Sequence, residues 1–294
     1  MKSSGAISAG AGRPLEIEEL ANRLWIHPVS KVLVGWLIHT RITPNHISMT
    51  SVLAAATAAA GFVALQPIPG AVVGLASLFI WHVLDGADGD LARRTGRASA
   101  SGELIDGVCD HVSQGLVYIS LAIVLQRSAG PWAWPMATAA AISHTVQANA
   151  YEAGRKTYRH WVYGAVWMRQ RTDMSKSLAG LATRAYLAAA AIFSPGESAV
   201  EAAMTRRLKE NADAADTTRS VYKQIQLNLV KRSSFLGSTG RTFMVVASVF
   251  VANPLWFFWY EILALNIVTV FLVEWRRRAN REVVASLSGL STKL

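Results

Sequence analysis

ITPNHISMTSVLAAATAAAGFVALQPIPGAVVGLASLFIWHVL, residues 42–84, contains no Asp, Glu, Lys or Arg. A helix that crosses a bilayer needs roughly 20 apolar residues, so this run holds two of them. Gln66-Pro-Ile-Pro-Gly70 divides it, a proline and glycine turn that no helix crosses easily. Outward from this run, residues 104–126 read as a third span with Asp106 and Asp110 at its start, and residues 132–151 as a fourth. Residues 236–252 and 255–275 read as a fifth and a sixth, joined by the tight Asn253-Pro254 turn. The expected fold class is an all-α integral membrane protein with six transmembrane helices.

Composition points the same way. Hydrophobic residues make up 52% and charged residues 16%, with a mean hydropathy of +0.27. A soluble domain carries about 25% charged residues, so disorder is excluded and a cytosolic enzyme disfavoured. The net charge of +10 suits an anionic membrane face before nucleic acid, and no nucleic-acid partner is expected. Cys109 is the single cysteine, which excludes an intrachain disulfide framework and a cysteine-based metal centre. The amino-terminal arm has no short apolar segment followed by a cleavage site, so no secretory signal is expected.

Basic residues set the orientation. The turns at 66–70, 127–131 and 252–254 carry only Arg127 among them. Both termini and both large loops are therefore expected on the cytoplasmic side, at the inner membrane in a bacterium. The expected segments are an arm over 1–42, four helices over 43–151, a basic cytoplasmic helical insertion over 152–235, two helices over 236–275 and a basic tail over 276–294. Within the arm, residues 15–40 mix charges with Trp25, Trp36 and Leu or Val at helical spacing, an interfacial helix. Within the insertion, residues 178–193 read as a membrane-surface or membrane-dipping helix, with an extra hairpin as the alternative. Arg276-Arg-Arg278 reads as an inner-leaflet anchor.

The chemistry is concentrated in Asp85-Gly-Ala-Asp88-Gly89-Asp90-Leu-Ala92-Arg93 and Gly102-Glu-Leu-Ile-Asp106-Gly-Val-Cys-Asp110. Asp85 and Asp88 are spaced i, i+3, and Asp106 and Asp110 i, i+4, so each pair shares a helix face. The first pair ends one span and the second opens the next, with a short loop between them. Four carboxylates therefore converge at one membrane boundary, where they persist only when paired or bound to cations. Carboxylate oxygens without a nearby His or Cys favour hard ions, Mg²⁺ or Mn²⁺. Gly89 and Gly102 let a ligand or a facing helix approach the backbone, and Arg93 suits a phosphate oxygen. For any one acid alone, a solvated boundary face or a salt bridge to Arg93, Arg94 or Arg97 is the better reading. The whole constellation at fixed spacing describes a diphosphate site.

This stretch resembles the signature of the CDP-alcohol phosphotransferase family, D-x2-D-G-x2-A-R-x8-G-x3-D-x3-D. Asp85, Asp88, Gly89, Ala92, Arg93, Gly102, Asp106 and Asp110 occupy every fixed position. Thr43-Pro44-Asn45 resembles the family's short motif at the start of its first span. The insertion and the extra acids Asp90 and Glu103 depart from the pattern. The resemblance implies transfer from a CDP-linked alcohol to a hydroxyl acceptor with release of CMP, in a homodimeric membrane enzyme. It implies two divalent cations held by Asp85, Asp88 and Asp106, with Asp110 touching the metal site and acting as catalytic base. Asn45, Asp88, Gly89, Ala92, Arg93 and Gly102 would hold the CDP moiety. The donor is expected to be CDP-diacylglycerol, the more frequent arrangement in the family. The alternative is CDP-choline or CDP-ethanolamine with a lipid alcohol, and the residues around Ala92–Thr95 and Gly102–Asp110 look somewhat like the eukaryotic enzymes of that kind.

Other residues carry two readings each. His144 and Gln147, at i, i+3, either face a substrate path or hydrogen-bond between helices. Arg155 and Arg241 either anchor an acceptor or lipid phosphate or snorkel to headgroups. Glu261 is expected to be structural and far from the aspartates. Trp256 and Trp259 suit an outer aromatic belt, and Cys109 a packing role. Membrane prenyltransferases also use aspartate-rich helices, but their two motifs lie far apart. A cation transporter would place acids near the midplane, often in repeated halves.

Overall fold

The computed structural model describes residues 14–165, 195–210 and 214–291. Every regular element among these residues is helical: α1 (His27–Leu37), α2 (Pro44–Ala64), α3 (Pro67–Arg94), α4 (Ala100–Ala129), α5 (Ala133–Tyr163), α6 (Glu197–Glu210), α7 (Ala215–Arg232), α8 (Ser238–Phe250), α9 (Leu255–Trp259) and α10 (Leu265–Ser291). Residues 178–193, read above as a membrane-surface helix, lie outside the described residues.

Local chemistry places the boundaries. Thr43 caps α2 by accepting from the His46 amide while its own amide donates to His46 Nδ1, and Pro44 supplies the first turn. Leu65 and Gln66 are extended, and Pro67 starts α3 at once, so the expected break falls at the proline-rich turn. Ser99 caps α4 with its hydroxyl on the Gly102 amide, 3.1 Å away. Gly130, at φ +61°, ends α4 in a conformation that L side chains rarely adopt. Beyond it α5 folds back. Trp134 donates to Gln126 across 2.7 Å and the Tyr118 hydroxyl lies 3.1 Å from His144 Nδ1, so α4 and α5 are antiparallel.

Among the described residues, four stretches are long and apolar enough to cross a membrane: Pro44–Ala64, Pro67–Arg94, Ser101–Tyr163 and Leu255–Gly289. Ser101–Tyr163 comprises the α4–α5 hairpin, the third and fourth expected spans. The fifth differs from expectation. α8 has 13 residues, about 20 Å of helix, which by itself falls short of a roughly 30 Å hydrocarbon core.

The chain divides into two compact units. One contains residues 19–144 and 238–264. Its core is formed by Ala58, Phe62, Leu78, Leu121, Ala137, Val249 and Phe257. In it α2 packs along both α3 and α4, while α1 and α8 pack on α3. Two glycines set the crossings: a Cβ on Gly74 would strike the Phe62 ring at 1.9 Å, and one on Gly86 would meet Ser30 Oγ at 2.9 Å. α1 buries Ser30 and Val34 and leaves Val32 and Trp36 exposed.

The other unit contains residues 1–18, 145–237 and 265–294. Tyr158 and Trp161 of α5, Val200 and Met204 of α6, Tyr222 of α7, and Val283 and Leu287 of α10 form its core, joined by Ile17 of the arm. Described parts of the insertion and of the carboxy-terminal tail are thus packed together. Arg276 corrects the inner-leaflet reading: it is 7% exposed, donates to the Ala150 carbonyl at 3.1 Å and fills the space beside Gly154. Arg277 and Arg278 remain at the surface and pair with Glu274.

Candidate active site

The last turns of α3 and the first turns of α4 bring the carboxylates together, as their spacing requires. Asp85, Asp106 and Asp110 each offer an oxygen within 4.8 Å of the other two. Asp88 is 4% exposed and lies within hydrogen-bonding reach of Asp106, as Asp110 does of Asp85. Opposite ligands of a Mg²⁺ ion stand about 4.2 Å apart, twice the ~2.1 Å bond. An all-oxygen donor set at this spacing fits Mg²⁺ or Mn²⁺. Like charges this close are stable together only when positive charge is taken up between them.

Ser48 was not singled out by the sequence reading. Its hydroxyl donates to Asp88 Oδ2 at 2.5 Å and is buried with it. The available signal was its place three residues after Asn45, on the same face of α2. Asn45 itself stands against the first turn of α4, where a Cβ on Gly102 would lie 3.7 Å from its Oδ1 and 3.2 Å from Ser99 Oγ. Gly102 thus stands where the start of α2 meets the cap of α4.

Gly89 and Ala92 follow Asp88 on α3, half-buried. Arg93 is more exposed and ion-pairs with Asp90, the extra acid of the motif. His111, next to Asp110, is exposed and uses Nδ1 on the Gly107 carbonyl at 2.6 Å.

The remaining candidates are placed elsewhere. His144 and Arg241 lie deeper in the same unit, where Arg241 Nε donates to Glu261 Oε1 at 2.9 Å and His144 Nδ1 is 3.7 Å from the same oxygen. Arg241 and Glu261 are 4% and 0% exposed. Arg241 is therefore enclosed rather than snorkelling, and its partner Glu261 sits in a π-helical turn, Tyr260–Ala264, that widens the helix there. Gln147 and Arg155 belong to the other unit. Gln147 donates to Asn266 Oδ1 at 2.8 Å, matching the interhelical reading. Arg155 pairs with Glu152 at 2.6 Å and lies over the Tyr151 ring.

Comparison with known proteins bears on this arrangement. A family model described as CDP-alcohol phosphatidyltransferase matches residues 41–205, which include every carboxylate of the cluster. Cholinephosphotransferase 1 of Gallus gallus is 30% identical over 121 residues, 38% of this chain and 36% of the relative. Cholinephosphotransferase 1 of Danio rerio is 31% identical over 121 residues, 38% of this chain and 32% of the relative. The matched stretch thus spans about a third of each curated relative.

Proposed function

The chain belongs to the CDP-alcohol phosphatidyltransferase family, and from that membership we propose that it transfers a phospho-alcohol from a CDP-alcohol to a hydroxyl acceptor, releasing CMP. The observation that carries this reading is the meeting of Asp85, Asp106 and Asp110 oxygens within 4.8 Å of one another. Asp85, Asp88, Asp106 and Asp110 would hold two divalent cations, Mg²⁺ or Mn²⁺. Bound there, the ions would offset the diphosphate charge and stabilise the leaving CMP.

The protein's own residues account for the rest. Ser48 fixes the Asp88 carboxylate, and Asn45, Gly89, Ala92, Arg93 and Gly102 frame the nucleotide. Arg93 exchanges Asp90 for a phosphate oxygen when the donor arrives. The acceptor oxygen attacks the phosphorus remote from cytidine. A new P–O bond forms, the bond from that phosphorus to the bridging oxygen breaks, and CMP leaves with the electron pair. Asp110 takes the acceptor proton on its carboxylate.

The relatives favour CDP-choline with a lipid alcohol, because both are cholinephosphotransferases by name. CDP-diacylglycerol with a polar alcohol is the rival. Mass spectrometry of lipids made by the purified chain from each donor separates the two, and CMP release from neither overturns the reading. Asp110→Asn tests the base: turnover should fall about 10²–10⁴-fold, far more than Mn²⁺-dependent donor affinity, because the Asn oxygen can still reach a cation but cannot take the acceptor proton. Equal loss of affinity would make Asp110 chiefly a ligand.

The membrane arrangement proposed with this function keeps six crossings, α8 serving as the core of the fifth. Both termini, the carboxylates and the 152–235 insertion lie on the cytoplasmic side, α1 rests at the interface, and two copies form a dimer. Cysteines introduced at 97 and 215 should react with a cytoplasmic reagent, and cysteines at 68 and 253 should not. Cytoplasmic labelling at 68 overturns the topology.

A further inference from the structure

On the same interhelical seam as the aspartates, one turn deeper, lies a cavity of about 50 Å³. That is room for roughly three waters or one small group. Trp81 and Leu78 line it from α3, and Ser113, Gln114 and Val117 from α4. Trp81 precedes Asp85 by four residues, and Ser113 and Gln114 follow Asp110 by three and four. Each therefore shares a helix face with a carboxylate about one 5.4 Å turn away. The cavity continues the site along the α3–α4 seam.

Two of the residues that line it carry a polar atom without a partner. Trp81 Nε1 and Ser113 Oγ are fully buried and have no hydrogen-bond partner, with their residues 7% and 1% exposed. Buried donors are rarely left unmatched, and each such group needs an explanation. An indole N–H can only donate, so whatever enters must bring an acceptor oxygen. It need not be charged: the Arg241 guanidinium on the cavity wall is already matched by Glu261, and Thr242 is 2.8 Å from His82 Nε2. Leu78, Val117, Val245 and Phe257 supply apolar walls. The ligand group is thus a neutral oxygen acceptor on an apolar chain, about a helical turn from the reacting oxygens.

We propose that Trp81 and Ser113 form a subsite for an ester oxygen of a diacylglyceryl lipid, held one helical turn below the aspartates. The proposal rests on the phosphotransfer reading and deepens it, because it makes the lipid's ester linkage a specificity determinant. The same group occurs in a diacylglycerol acceptor and in a CDP-diacylglycerol donor. An ether oxygen is a poorer acceptor than an ester carbonyl, so the site discriminates between diester and diether lipids.

The test uses the purified full chain, Trp81→Phe and Ser113→Ala. One arm measures CMP release from CDP-choline with dioleoylglycerol against its dioleyl ether analogue. The other measures the thermal shift produced by CDP-diacylglycerol against CDP-dialkylglycerol with Mn²⁺, and by the two uncharged lipids without it. The parent protein should favour the diester about tenfold in the arm whose lipid it uses, and each variant should cut that preference to near unity. KM for the diester should rise while KM for CDP-choline stays unchanged. A parent ratio near one in both arms, or a ratio that persists in both variants, overturns the subsite and leaves the two donors to water. Should Trp81→Phe fail to fold, Ser113→Ala decides alone. Absence of both CMP release and lipid-dependent shift counts against the phosphotransfer reading; CMP release with an unchanged ratio counts against the subsite alone.

Discussion

The Arg241–Glu261 pair and the aspartate cluster occupy one helical unit and treat charge in opposite ways. Arg241 and Glu261 meet at 2.9 Å with His144 and Tyr118 beside them, so the positive and negative groups close on each other. Asp85, Asp106 and Asp110 instead turn like charges together within 4.8 Å. A buried ion pair is self-contained and holds helices in register. A cluster of acids is incomplete until cations reach it, and that incompleteness is what a diphosphate site requires.

The largest effect should come from the cluster. Asp85→Asn or Asp106→Asn should lower CMP release about a thousandfold or more, several kcal/mol of lost charge stabilisation, and should abolish Mn²⁺-dependent donor binding by calorimetry. Turnover within tenfold of the parent would erase the contrast between the two regions. Chelation of divalent ions should mimic these variants.

Next comes the ion pair. Arg241→Leu should destabilise the protein by about 3–5 kcal/mol, because it strands a buried carboxylate. Arg241→Leu with Glu261→Met should return to within about 1 kcal/mol of the parent in a detergent unfolding assay. No paired substitution among the aspartates should restore activity in the same way. If the double variant stays as unstable as the single one, Glu261 has a second essential partner.

Ser48→Ala sharpens the comparison at finer scale. It removes one hydrogen bond to a buried carboxylate, worth about 1.5 kcal/mol, so donor affinity should weaken about tenfold with little change in thermal stability. A purely structural Ser48 would show the reverse.

The smallest effect lies in the other unit. Burial works to raise the Glu16 carboxyl, but hydrogen bonds from Tyr163, Lys223 and Tyr158 hold it below the ordinary 4.5. A folded value that is depressed contributes stability above the unfolded value and loses it as pH falls through the folded one. Glu16→Gln should therefore cost about 0.5–1 kcal/mol near neutral pH, and the two proteins should converge as pH falls through the depressed folded value. Proteolysis of the amino-terminal arm reads the difference. A gap that persists in acid would mean that shape rather than charge holds the arm.

Much of the membrane portion was legible in the chain. Uncharged runs, the Pro67 turn and the Asn253-Pro254 turn located the helices, because their causes lie within a few residues of one another. The convergence of Asp85, Asp88, Asp106 and Asp110 was legible for the same reason: two helical spacings and one short loop leave those side chains little choice. The packing of the insertion on α10 was not, since nothing in a basic sequence says which helix will cover its apolar face.

Sequence alone determined which residues share a helix face, from the 3.6-residue repeat, and that the two acidic pairs stand at the joined ends of two helices, from the short loop between them. Tertiary structure decided which faces meet. Ser48 reaches Asp88 across 40 residues of chain, and Arg241 finds Glu261 across a turn and a π-helical widening. Those pairings depend on how closely the helices approach. Gly74, where a Cβ would strike Phe62, sets the approach of α2 and α3 that brings Ser48 to Asp88, and a contact made through space leaves no period in the sequence to read.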